Sequence, residues 1–337
     1  MGKTGTRHRN LMFRLVVLAA LTFAGVCASL MVGRYPITLG DLVRALLGQP
    51  VERQISQIMY QVRLPRIFAA LLVGGGLSIS GAAYQGMFKN PLVSPDLLGS
   101  SAGAGLGAAL AILFSFPMAA VKSTAFVFGL AAVLFTWLLG TKLGRGSKTS
   151  FLLILAGILV GSLFQSLLSL VRYAADTEQK LPEITFWLMG SLTKAGYVDV
   201  LVMAFPFAVS AGALIILSGQ INILSLGEEE AHTLGVNTKL LQALIVTAAT
   251  VLTAFSVSIS GMIGWVGLVI PHLTRMILGP NFRYLIPGSF LLGGLYLLLM
   301  DDLCRSLFVV EIPLGIVTAL AGVPFFIYLL MTGEKEW

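Results

Sequence analysis

The stretch "LLVGGGLSISGAAYQG", residues 71–86, holds no Asp, Glu, Lys, Arg or His, and intersperses small residues with leucine, isoleucine and valine. It has neither the alternation of a half-buried strand nor the charged face of a soluble helix, and a helix apolar all round is buried or crosses a membrane. Outward from it, the charge-free run covers 67–88, about the 20 residues that a bilayer requires. The whole chain has the same character. Its 337 residues are 57% hydrophobic and 11% charged, with mean hydropathy +0.91, against roughly 25% charged residues in a soluble domain. The sequence describes an all-α integral membrane protein.

Runs of similar length recur near 11–32, 97–115, 119–141, 151–172, 198–218, 240–260, 263–279, 284–303 and 313–332, predicting about ten transmembrane helices in a single domain over 1–337. Lys3, Arg7, Arg9 and Arg14 cluster at the start, which assigns both termini to the cytoplasm, with 1–10 as a tail. The first run is longer than the apolar core of a cleaved signal, about 7 to 15 residues, and reads as a span. Cys27 and Cys304 stand far apart and imply neither a disulfide framework nor a metal spacing. Net charge is +7, but the basic residues lie singly or in pairs, so nucleic acid is not indicated.

Gly103 and Gly107 have the GxxxG spacing of close helix contact. The tetrad Ser-Ile-Ser-Gly occurs at 78–81 and 258–261, in helices of opposite expected direction, as an inverted internal repeat would produce. Between their ends the spans carry almost no ionisable residue, so the midplane groups of an ion-coupled carrier are missing, although carbonyl-built sodium sites would leave no such trace. "GRGSKTS" at 144–150 is not a phosphate loop, since Ser147 separates Gly from Lys. Glu229 and His232 have a metal-site spacing without the second pair such sites need. Neither a metal site nor a catalytic set is expected.

Two polar features remain. The outer segment after the first span holds Arg34, Arg44, Arg53, Arg63 and Arg66, against the orientation bias. "RLPR" at 63–66 either grips the carboxylates of an acidic partner or reaches lipid phosphates. "LSLGEEEAHTLGVN" at 224–237 lies in the longest cytoplasmic connection, 219–239. There Ser225 can cap a short helix with Glu228, Glu229 and Glu230 in its first turn, between Gly227 and Gly235. With Ala231, Leu234 and Val236 beside the acids it reads as a docking element or as a solvated loop.

Four long motifs now carry a resemblance: "RLPRIFAALLVGGGLSISGAAYQGMFKNPLVSPDLLGSSAGAGLG", "LSLGEEEAHTLGVN", "GLVIPHLTRMILGPNFRYLIPG" and "EIPLGIVTALAGVPFFIYLL". They resemble, in order and over about residues 35–333, the FecCD permeases of iron-chelate and vitamin B12 uptake, which have a BtuC-like fold. The resemblance implies a permease of an ATP-binding-cassette importer in the bacterial or archaeal inner membrane. It would pair with a second copy of itself, two cytosolic ATPase subunits carrying the ATP and Mg, and an extracytoplasmic binding protein; the chain itself holds no cofactor and is no enzyme. It assigns ATPase coupling to Ser225, Gly227, Glu228, Glu229, Glu230, His232, Leu234 and Gly235, binding-protein docking to Arg63, Arg66 and Arg305, and a cytoplasmic gate to Ser147, Thr149 and Ser150. The pathway falls to helices at 151–172 and 313–332. Iron-siderophore or haem is the first expected cargo, with cobalamin or an oxyanion such as molybdate or tungstate as the alternative. A secondary carrier is the rival class.

Overall fold

The computed structural model describes residues 2–143, 149–307 and 310–332, apart from the side chains of residues 2–7, Leu46, Leu143, Thr149, Leu330 and Thr332. The described residues form helices and connections, without strands. In order they are α1 (Gly2–Met31), α2 (Leu39–Leu46), α3 (Arg53–Gln57), α4 (Leu64–Met87), α5 (Ser100–Leu113), α6 (Met118–Leu143), α7 (Thr149–Ala174), α8 (Lys180–Leu188), α9 (Tyr197–Leu224), α10 (Glu228–Thr233), α11 (Thr238–Ser260), α12 (Val266–Leu278), α13 (Phe282–Ser306) and α14 (Leu314–Thr332).

All ten expected apolar helices are present, but they are unequal. Seven are long and apolar enough to cross a membrane: those within His8–Met31, Arg53–Met87, Met118–Lys142, Ser150–Ala174, Tyr197–Leu224, Thr238–Ser260 and Phe282–Ser306. The others, in α5, α12 and α14, are shorter. At about 1.5 Å per residue, the 14 residues of α5 fall well short of a hydrocarbon core of about 30 Å. The expected 1–10 tail is instead the first turns of α1. α3 passes through a π turn, Ile58–Arg63, into α4.

The opening stretch lies in α4, whose apolar window is 83% buried against α9, α11, α12 and α13. Its small residues are what let so many neighbours approach. A Cβ on Gly81 would lie 1.8 Å from the Gly267 carbonyl oxygen, and one on Gly267 2.3 Å from Pro95 Cγ. Gly103 and Gly107 likewise set α5 against the backbone of α6 at Phe128 and Thr124.

α4 and α11 are antiparallel. Gly76 faces Ser256, Ser80 Oγ donates to the Ala249 carbonyl at 3.0 Å, and Tyr84 bonds Thr250 at 3.0 Å. After each of these helices the chain turns back into the bundle. Beyond α4, Pro95–Leu98 forms a 3-10 turn beside Gly157 of α7, with the Leu98 carbonyl accepting from Thr136 of α6 at 3.0 Å; α5 starts there. Beyond α11, residues 261–265 are not helical and bring Trp265 against Gly322 in the middle of α14, where α12 starts. The two half-length helices thus begin near one another, at Pro95 and Gly267, and are approached from opposite ends. This is the opposed arrangement that the twice-written tetrad suggested, although the first tetrad is mid-helix and the second terminates α11 at Gly261, where φ is +70°.

Candidate functional site

The polar features lie at two opposite ends. At one end Glu228, Glu229 and Glu230 occupy the first turn of α10, where their charge suits the helix dipole. The N-cap is Gly227, without a side-chain cap. Ser225, expected to cap α10, instead terminates α9, its Oγ donating to the Asn222 carbonyl at 2.7 Å. At the other terminus the Gly235 N–H bonds the His232 carbonyl at 3.0 Å and the Val236 N–H that of Ala231 at 3.0 Å. This closure requires the left-handed conformation that Gly235 adopts, φ +80°.

The faces of α10 are sharply divided. Ala231 is fully buried and Glu228 half-buried, whereas Glu229, Glu230 and His232 are exposed. Leu226 and Leu234 are also exposed, at 60% and 61%. Glu228 turns inward, its Oε1 accepting hydrogen bonds from Ser150 Oγ and from Gln242 Nε2 at 2.9 Å. Gln242 Nε2 also lies 3.3 Å from Ser150 Oγ. The structure thus joins one expected coupling residue to one expected gate residue through an amide that the sequence reading passed over, although Gln242 is the sole amide in the apolar run 240–260. Of the other gate residues, Thr149 opens α7 and Ser147 lies outside the described residues. His8 on α1 bonds Tyr284 on α13 at this same end.

At the opposite end the three selected arginines are interior, at 3% (Arg63), 6% (Arg66) and 7% (Arg305) exposure. Arg63 donates to the carbonyls of Leu30 and, at 2.5 Å, Tyr35; its guanidinium occupies space that a side chain at Gly33 would fill. Arg66 is shared by two carboxylates, with Nε and Nη2 to Asp301 at 2.8 and 2.9 Å and Nη1 and Nη2 to Glu311 at 3.2 and 3.0 Å. Arg305 binds Asp302 and Ser29 Oγ at 2.7 Å. The three arginines expected to dock a binding protein are thus buried in this chain and hydrogen-bonded to groups within it. Burial alone would raise the Glu311 carboxyl, but the hydrogen bond and charge of Arg66 hold it below its ordinary range. Arg34, Arg44 and Arg53 of the same basic segment are exposed.

Beside Glu311 a cavity of about 400 Å³ is lined by Trp187, Phe186, Ile259, Thr193, Lys122 and Lys194 among others. The ends of α8, α11 and α14 meet at its wall: the Ser191 N–H bonds the Ser260 carbonyl at 2.7 Å, and the Leu314 N–H the Gly190 carbonyl at 2.9 Å. Between the two ends, α7 exposes Ser162, Gln165, Ser166 and Ser169, spaced to form one stripe. Asp96 lies half-buried in the turn before α5, bonded to Ser101. Among the described residues no group of three His, Cys, Asp or Glu could hold a metal.

Comparison with known proteins agrees with this geometry. Residues 21–332 match the FecCD transport family. The chain is 40% identical over 323 residues to the molybdate import system permease protein MolB of Haemophilus influenzae, covering 95% of this chain and 94% of that one. It is 36% identical over 336 residues to the cobalamin import system permease protein BtuC of Halobacterium salinarum, covering 95% and 89%. A solved inward-facing structure of an ABC transporter of metal-chelate type superposes with a TM-score of 0.86 at 40% identity, covering 94% of this chain and 98% of that one. The chain belongs to the FecCD transport family and is the membrane-spanning permease subunit of an ATP-binding-cassette importer.

Proposed function

We propose that this permease works as a pair of identical subunits with two separate ATPase subunits, which carry the ATP and Mg, and an extracytoplasmic binding protein. The α10 end faces the cytoplasm of a bacterial or archaeal cell, and both termini lie on that side. The observation that carries this reading is the outward face of α10, where Glu229, Glu230 and His232 stand beside exposed Leu226 and Leu234. Apolar side chains ringed by charge at the end of a membrane bundle suit a protein partner better than water or lipid. At the opposite end, exposed Arg44 and Arg53 offer guanidinium groups to an acidic binding protein, and buried Arg63, Arg66 and Arg305 hold the scaffold behind them.

The pathway runs along α7 and α14, at the seam between two copies. The Ser162, Ser166 and Ser169 hydroxyls donate to carbonyls one turn back, and the Gln165 amide on the same exposed face is costly against lipid and serviceable against water. Alternating access then needs no charge of its own: ATP binding closes the ATPase pair, α10 moves with it, and the pathway opens to the other side. The cargo is a metal-bearing anion of the molybdate class, a reading supported by the likeness to the molybdate permease over nearly the full length of both chains. The solved metal-chelate transporter supports a second reading, an iron chelate or haem.

The test is reconstitution in liposomes with the partner ATPase and binding protein. ATP-dependent accumulation of molybdate, competed by tungstate, is expected; accumulation of an iron chelate with none of molybdate would select the second reading. Leu234→Asp with Glu229→Lys should abolish co-purification with the ATPase. Intact association in that variant overturns α10 as the coupling surface.

A further inference from the structure

We propose that Glu228 does not face the ATPase but acts as a positioning residue, the tie through which movement of α10 reaches α7. This rests on the reading of α10 as the coupling element and adds to it a division of labour among the three glutamates.

The three acids are equivalent for the helix dipole, so their number alone does not explain their places. Successive helical residues turn by about 100°, and here the turn sends Glu229 and Glu230 to the surface and Glu228 back into the protein. Its Oε1 receives two donors from two other helices: Ser150 Oγ, in the first turn of α7, and Gln242 Nε2 of α11, at 2.9 Å. The Gln242–Ser150 contact of 3.3 Å closes the triangle. Three helices, α7, α10 and α11, therefore meet on one carboxylate oxygen. Hydrogen bonds to an ionised acceptor are about twice as strong as neutral ones, and this one is sheltered, since Gln242 is almost fully buried.

The rest of α10 cannot supply the same link. Its buried side chain, Ala231, is a single methyl, and the helix packs on α9 and α11, its neighbours in the chain. α7 is a different case. It carries the exposed polar stripe, and Ser150 sits at its inner terminus. A pull on α10 is passed by Glu228 to that terminus, and Gln242 keeps the carboxylate aimed at Ser150 from the fixed base of α11. The alternative, that Glu228 merely satisfies the buried Gln242 amide, predicts a loss of stability with coupling intact.

The experiment compares ATP hydrolysis with and without loaded binding protein in the assembled, reconstituted transporter. The binding protein is loaded with molybdate, and each variant is its own reference. Glu228→Ala and Gln242→Leu are each expected to co-purify with the ATPase, yet to lose stimulation by about tenfold, the scale of one hydrogen bond to a charged group. The double variant should be no worse than either single one, because both break the same tie. Glu228→Gln keeps a carbonyl oxygen at the acceptor position without its charge and should recover part of the stimulation. Full stimulation in Glu228→Ala overturns the proposal, as does a Glu228→Gln defect equal to that of Glu228→Ala. Loss of ATPase association in Glu228→Ala also overturns it, by returning the residue to the partner surface. Should Glu228→Ala fail to fold, Ser150→Ala removes only the hydroxyl on α7; the same loss of stimulation supports the tie and full stimulation overturns it. Failure of the underlying reading is seen separately, as intact ATPase association in the Leu234→Asp, Glu229→Lys variant.

Discussion

The arginines of the basic segment divide by burial, and the division sets what each substitution does. Replacing Arg66 by Ala leaves Asp301, 1% exposed, as an uncompensated buried carboxylate, at a cost of about 3–5 kcal/mol. Unfolding in detergent should show this directly. Charge reversal at exposed Arg44 and Arg53 should move stability by no more than about 0.5 kcal/mol while weakening stimulation by the binding protein. Unchanged stability in Arg66→Ala would contradict the interior placement. Glu311 supplies a pH test. Because its carboxyl is held below the ordinary range, its contribution is complete above the unfolded value of about 4.3 and is lost as pH falls through the lower folded value. The thermal midpoints of the wild type and Glu311→Gln should differ by a constant amount from neutral pH to about 5 and converge in stronger acid. The sequence marked Arg66 as unusual but gave no route to its partners, which lie 235 and 245 positions away. Two guanidinium groups near an outer surface look the same in sequence whether they turn outward or inward.

Among the elements, the long helices were legible because apolar length is what a membrane selects. The half-length ones were not. Hydropathy reads the apolar content of 97–115 and 263–279 and is blind to where the backbone stops being helical, so both were expected as full crossings. The signals of breakage were present in Pro91, Pro95 and Gly99 and in Gly261 and Gly264, residues that also occur freely inside membrane helices. The junction between the half-helices has no spare volume. Gly81→Ala and Gly267→Ala should each destabilise by about 1–3 kcal/mol through overpacking, with a combined effect below the sum because they crowd one contact. Gly212 of α9, where an added Cβ meets nothing within 4 Å, is the control: Gly212→Ala should be neutral or gain up to about 1 kcal/mol. Equal losses at Gly212 and Gly267 would refute the close approach.

For the whole molecule, family and fold followed from long motifs, whereas the exposed polar stripe of α7 needed three dimensions to become visible. Serine in an apolar helix is usually a packing residue; it is the exposure of Ser162, Ser166 and Ser169 on one face of α7 that gives them another use. After replacement of Cys27 and Cys304, cysteines at 162, 166 and 169 should react with a membrane-impermeant maleimide in the assembled importer, and cysteines at exposed Leu163 and Leu170 should not. Equal labelling of both sets would place lipid or water on all sides of α7 and remove it from the pathway.

The junction of the half-helices also bears on how the chain is made. A helix that starts in mid-bundle leaves its first N–H groups, and the non-helical backbone before it, in need of partners that hydrocarbon does not offer. For α5 those neighbours are α6 and α7, and for α12 they include α14, in each case segments synthesised later. The burial of each half-helix is therefore complete only once a segment that follows it in the chain is in place.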